Sequence, residues 1–245
     1  MRAELGYDRS VFRLGGAAAV VGALLGMVGT LIHTVTPIGD PEGVARVLAE
    51  SEIWVPLHLA IVFGIALMLG GLVAIRHAIR EGLADVLARF GLVAAVSGAT
   101  IGLVLVILDG VAARQLAQAW AASPTAERDV ALGLVHVNGT INLALASLFN
   151  FVFAASTFAL FGLAVVLSDR FPRWLGWVAV LAGVLSLVAG TIQACVGEPS
   201  GASRILTIVG PTVITLWLAW MGVLLLRSAM HPAIRAAGAA RERAG

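Results

Sequence analysis

The sequence predicts an all-α protein, a polytopic membrane bundle of six transmembrane helices. Three observations predict it. Of 245 residues, 60% are hydrophobic and only 12% are charged, about half the share of charge a soluble domain needs to wet its surface. Mean hydropathy is +0.98. Six stretches, residues 12–33, 53–75, 90–111, 134–167, 174–196 and 205–226, reach the length of about 20 apolar residues that a bilayer crossing requires. No segment is long and polar enough for a separate soluble domain, so residues 1–245 form a single transmembrane domain.

An even number of spans puts both ends on one side, and the arginines choose the side. All 16 basic residues are arginine. Arg2, Arg9, Arg13, Arg76, Arg80, Arg89, Arg170, Arg173, Arg227, Arg235, Arg241 and Arg243 fall on one face, against Arg46, Arg114, Arg128 and Arg204 on the other. Short arginine-rich loops stay cytoplasmic, so both termini are expected in the cytoplasm of a bacterial plasma membrane. The same scatter excludes nucleic-acid binding, despite a net charge of +2, because no basic patch forms. Cys195, the single cysteine, excludes an intramolecular disulfide, a CxxC pair and a multi-cysteine metal site.

Taken in order, the first span carries Gly15, Ala18, Ala19, Gly22, Gly26 and Gly29 on one narrow helical face with His33 at its top. Small residues at this spacing let two backbones approach closely. The following loop starts with Pro37 and Pro41, and Val44, Val47 and Leu48 then share a face opposite Arg46 and Glu50, the pattern of a short solvated helix at the interface. The second span places His58 just after Trp54 and Pro56. The third repeats the small-residue stripe as Gly91, Ala94, Ala95, Gly98 and Gly102, leading to Asp109. The fourth is too long for one crossing. Ser123 and Pro124 suit its N-cap and first turn, and Asn138 with Gly139 marks where it leans or breaks. The fifth ends in Gln193, Cys195 and Glu198, with Cys195 read as a small buried apolar residue. The sixth contains Pro211, which should kink it. Trp54, Trp120, Trp174 and Trp177 read as interface markers, while Trp217 and Trp220 face lipid or a partner subunit, leaving room for a homo-oligomer. His77 and His231 sit among arginines and read as solvated.

Shifting the first span by 76 residues lays it over the third with ten identities in 23 positions, among them Gly22 over Gly98. About four would be expected by chance in so biased a composition. A fainter echo in Gly176, Ala179 and Gly183 extends this to three parallel helical hairpins.

The stretch running from Gly39 to Ser51 and the later one from Phe171 to Gly183, set among the spans as they are, resemble an uncharacterised bacterial family of six-span integral membrane proteins of about this length. The resemblance covers nearly the whole chain and rests on packing and interface patterns. It implies a plasma-membrane location, and no reaction, because the family has no established activity to carry over.

Ionisable groups inside a span are expensive and ordinarily face the bundle interior or water. His33, His58, Asp109 and His136 stand at similar depth near the outer ends of four spans, and Thr140, Ser147, Asn150 and Thr157 continue a polar track below His136. Asn138 and Asn142 occupy the opposite face of that helix. The functional reading is an outward-facing pocket lined by His33, His58, Asp109, His136, Thr140, Ser147 and Asn150, binding or processing a small apolar or amphipathic molecule. Convergence should leave Asp109 ionised beside a hydrogen-bonded histidine. His33, His58 and His136 are the candidate ligands if a transition metal binds, and His58 with His136 or His33 would ligate a haem in a membrane electron carrier. A transporter, or an accessory subunit without a site, are the remaining readings. Under these, each histidine merely satisfies a backbone carbonyl, water or a neighbouring charge, with Asp109 paired to His136 or Arg114.

Overall fold

The computed structural model describes residues 2–33, 36–37, 39–197 and 201–242. They form α1 (Arg2–Ile32), α2 (Pro41–Glu50), α3 (Trp54–Ala78), α4 (Gly82–Ala122), α5 (Thr125–Leu167), α6 (Arg173–Val196) and α7 (Gly201–Glu242), with no strand among the described residues. All but α2 are long and apolar enough to cross a membrane. A helix satisfies its backbone internally, which is the condition for crossing a phase without water.

The six long helices close a ring in chain order. Each packs on its sequence neighbour, and α7 returns to α1. Leu72, Ile75, Phe158, Phe161, Leu218, Met221 and Leu225 fill the centre, while Leu14, Phe63, Phe90, Leu181 and Leu216 point outward. A folded chain that buries one set of large apolar side chains and exposes another all round is matched to an apolar solvent on its outside.

The small-residue stripes form the seams. A Cβ added at Gly22 would stand 2.7 Å from the Met68 backbone nitrogen on α3, and one at Gly98 would stand 2.5 Å from Phe153 Cα on α5. The first and third spans thus both turn their glycine faces to the next span. The fifth does not follow them: Gly176 and Gly183 face Gly162 and Ala155 of the preceding span, so the threefold hairpin pattern stops at two.

The long helices depart from expectation in three ways. The third span continues past Val111 to Ala122 through a π-helical turn at Leu108–Ala112. The fourth does not break at Asn138 and Gly139; its irregularity is a second π-helical stretch at Asn150–Thr157. There Ser156 and Thr157 donate to the carbonyls of Phe151 and Val152, five residues back, at 2.8 and 3.3 Å. Continuity prevails at Gly139 because a packed helix in an apolar setting gains more from keeping its backbone bonds than the glycine costs. Its start also differs, with Pro124 rather than Ser123 as the cap of the opening 3₁₀ turn. Helix α7 runs uninterrupted through Pro211.

One end of the ring carries a roof. Asp40 caps α2 by accepting from Gly43 N at 2.9 Å, with Pro41 in the first turn. The helix is not a solvated one: Ala45 and Leu48 bury against Trp54, Ala113, Ala117, Trp120 and Val135 in a second apolar core. Trp54 and Trp120 are therefore core residues, contrary to their reading as interface markers, whereas Trp174 and Trp177 are exposed. Trp217 is likewise buried, its Nε1 donating to the Leu175 carbonyl at 2.8 Å, and only Trp220 of that pair faces outward. An indole N–H inside a bundle needs an acceptor, and a neighbouring helix supplies it.

Candidate functional site

Beneath the roof, three ionisable side chains from three spans meet. His33 lies one residue past the end of α1, His58 one turn into α3, and Asp109 in the π-helical turn of α4. His58 Nε2 is 3.0 Å from Asp109 Oδ2, and His33 Nε2 is 3.8 Å from the same oxygen. His33 and Asp109 are equivalent positions under the 76-residue shift, so the first and third spans bring equivalent positions to one site. π-helical turns recur at functional sites because the extra residue re-aims the side chains around it.

The surroundings hold this group in place. His58 is 2% exposed. Its Nδ1 donates to the Trp54 carbonyl at 2.7 Å, one turn earlier on α3. Trp54 Nε1 in turn donates to the Asp109 carbonyl at 2.8 Å, tying α3 to α4. Asn142 Nδ2 on α5 donates to the other Asp109 oxygen, Oδ1, at 3.2 Å. The Trp54 and His58 rings lie with centroids 4.7 Å apart, and His33 sets its edge against both, at 4.8 and 5.2 Å. Side chains of His33 and Asp109 are 35% and 36% exposed, so the buried imidazole forms the floor and the other two form the open rim.

Gly110, which sequence reasoning passed over, makes the approach of α4 possible. A Cβ there would overlap the Cβ of His58 and stand 2.6 Å from its Cγ. For Asn142 the sequence indicates only a place on the face opposite the polar track. The signal for both lay in adjacency: Gly110 follows Asp109 directly, and Asn142 faces away from the track that holds His136.

The other predicted residues lie elsewhere. His136 is exposed and outside the group, so the His58 and His136 pair that one haem arrangement requires is not assembled. Thr140 and Ser147 do not line the floor of this site. With Leu143, Leu148, Phe151 and Gln193 they border a separate, open groove of about 320 Å³ between α5 and α6. Asn150 is buried and donates from Nδ2 to Gln193 Oε1 at 2.9 Å. Helix α5 sits between α4 and α6, so its two polar faces address different neighbours and only the Asn142 face reaches Asp109. Among the described residues no ion pair joins Asp109 to Arg114 or His136. Cys195 is exposed. Glu198 and the side chain of His231 lie outside the described residues. His77 is half-buried and bound to Asp8 at 2.7 Å, not solvated.

Comparison with protein-family models, curated proteins and solved structures finds no match. The chemistry of the site therefore stands on its geometry. With Nδ1 of His58 donating to Trp54, the contact between Nε2 and Asp109 needs a proton on one of the two atoms, so the pair can hold and pass a proton or accept a cation in its place.

Proposed function

We propose that this chain is a multi-pass protein of the bacterial plasma membrane, with both termini cytoplasmic, related to the six-span family it resembles. It binds or processes a small apolar or amphipathic molecule at His33, His58 and Asp109. The observation that carries this reading is the meeting of three ionisable groups from three different spans at one depth under an apolar roof. Ionisable groups inside spans are costly enough that their assembly argues for use. The excess of arginine at the opposite end supports an outward-facing site, and a rim set among exposed apolar side chains favours a ligand that arrives through the outer leaflet.

Labelling the detergent-purified protein with a diazirine-bearing fatty acid tests the reading. Peptides containing Trp54 to His58 and Asp109 to Trp120 should be labelled, and Asp109→Asn should remove that label. Labelling spread evenly over the exposed apolar residues, unchanged in the variant, would overturn it. A reporter fused after Gly245 should be active only in the cytoplasm.

A further inference from the structure

We infer that His33, His58 and Asp109 bind one divalent first-row transition metal ion, with an open coordination position facing the rim. The inference deepens the proposed function and rests on it for the site's role, while coordination of the ion needs no organic ligand.

Three features of the donor set point to a metal rather than to a hydrogen-bonded pair. The first is spacing. Ligands at about 2.0–2.1 Å around a tetrahedral ion lie roughly 3.3 Å from one another. The two histidine nitrogens lie 3.0 and 3.8 Å from the same carboxylate oxygen, and all three ligand atoms fall within 4.8 Å of one another. Closing the group around a tetrahedral ion leaves the His58–Asp109 pair nearly where it is and asks the widest pair to approach by up to about 1.5 Å, a movement that His33, on the rim, can supply.

The second is orientation. A ligating histidine ordinarily donates its other ring N–H to a carbonyl or carboxylate, which selects the tautomer and aims the free nitrogen. His58 does so through Nδ1 to the Trp54 carbonyl at 2.7 Å, and its Nε2 is the atom that faces Asp109. Asp109 is held likewise: Asn142 occupies Oδ1, leaving Oδ2 for the shared position. The remaining polar atom of that amide, Asn142 Oδ1, is buried with no hydrogen-bond partner among the described residues.

The third is charge. Two neutral imidazoles and one carboxylate offer a single negative charge to a divalent ion, and the metal replaces the proton that otherwise lies between His58 and Asp109. Two histidines and a carboxylate suit zinc, iron or cobalt, and three protein ligands leave a position for water or for a small molecule. Among the described residues no other three histidine, cysteine or carboxylate ligands come together; at the other end of the bundle the carboxylates meet guanidinium, which cannot ligate.

The test uses the full-length protein, purified in detergent and stripped of metal by chelator. Zn²⁺ titrated against a chromophoric competitor should bind with a stoichiometry of one, and Co²⁺ should give the intense visible absorption of four-coordination. His58→Ala and Asp109→Asn should abolish both signals. Asn142→Ala should weaken Zn²⁺ by about tenfold or more, the range for losing an outer-shell partner. His77→Ala, at the far end, should bind as wild type. Each variant's metal-free melting temperature separates loss of ligand from loss of fold, and His33→Ala, at the exposed rim, keeps the test decisive if the buried changes unfold the protein. Wild-type protein that binds no Zn²⁺, or binds it equally without His58 and without His33, overturns the metal. Fatty-acid labelling that still maps to the site would then leave the proposed function standing, whereas Zn²⁺ binding without such labelling would remove the apolar ligand and keep the metal.

Discussion

The two ends of the bundle each gather carboxylates with cationic or imidazole partners, yet they do opposite things with them. At the arginine end Asp85 receives Arg76 at 2.8 Å on one oxygen and Arg89 at 2.7 Å on the other. Asp8 receives Arg80 and His77 on a single oxygen at 2.6 and 2.7 Å, with Arg80 also against His77. A guanidinium is always charged and only donates, so Asp85, engaged on both oxygens by arginine, is saturated, and the contacts act as clasps that join α3 to α4 and, through Asp8, to α1. At the histidine end Asp109 meets two imidazoles and an amide. Imidazole can donate, accept or ligate, so this carboxylate keeps a usable oxygen. The lesson is that partner type, more than burial, separates a structural carboxylate from a chemical one: Asp85, with a side chain 14% exposed, is less open than Asp109 at 36%.

Substitutions at each end can break or sharpen that contrast. The largest effect is expected from Gly110→Leu, which forces a side chain into His58. Overpacking against a buried ring should cost about 3 kcal/mol, read as a lower melting temperature in detergent. Gly133→Leu, at a glycine with open space around it, should leave the melting temperature nearly unchanged. Equal behaviour of the two variants would mean that the close approach of α4 to His58 is not a real constraint.

Asp85→Ala comes next. It strips a half-buried Arg76 of its partner and should cost about 2 kcal/mol, the range for a charge-assisted bond. Zn²⁺ binding should stay at the wild-type value, because the sites share no contacts and distant effects add. A change in Zn²⁺ affinity would show that the two ends are coupled and the contrast between clasp and site too sharp. The smallest effect belongs to Arg89→Ala. Its side chain is 65% exposed, so the loss should stay below about 1 kcal/mol and shrink with added salt.

Much of the fold was legible because bilayer crossing imposes a length and a hydropathy that composition cannot hide. The six spans appear where the apolar stretches lie, and the glycine stripes of the first and third spans become seams. His33, His58 and Asp109 were legible for a related reason, since an ionisable residue inside an apolar run stands out by its cost. His136 stood out on the same grounds and was misplaced. Depth along a helix follows from counting residues, but the direction of its face depends on which neighbour it packs against.

By itself, the sequence determined the class of protein, the number of spans, the uneven distribution of arginine and the depth of the ionisable groups. These follow from local quantities: hydropathy over about 20 residues, charge in short loops, and helical periodicity. Only the tertiary structure decided that Asn142, and not His136, completes the surroundings of Asp109. It also decided that Trp54 and Trp120 belong to a roof, and that His77 joins a clasp with Asp8. Each of these depends on contacts between helices far apart in the chain, on the ring that closes α7 onto α1 and on the π-helical turns that re-aim Asp109 and Asn150. A helix carries its own periodicity in its sequence, but the partner that each of its faces meets is a property of the assembled bundle.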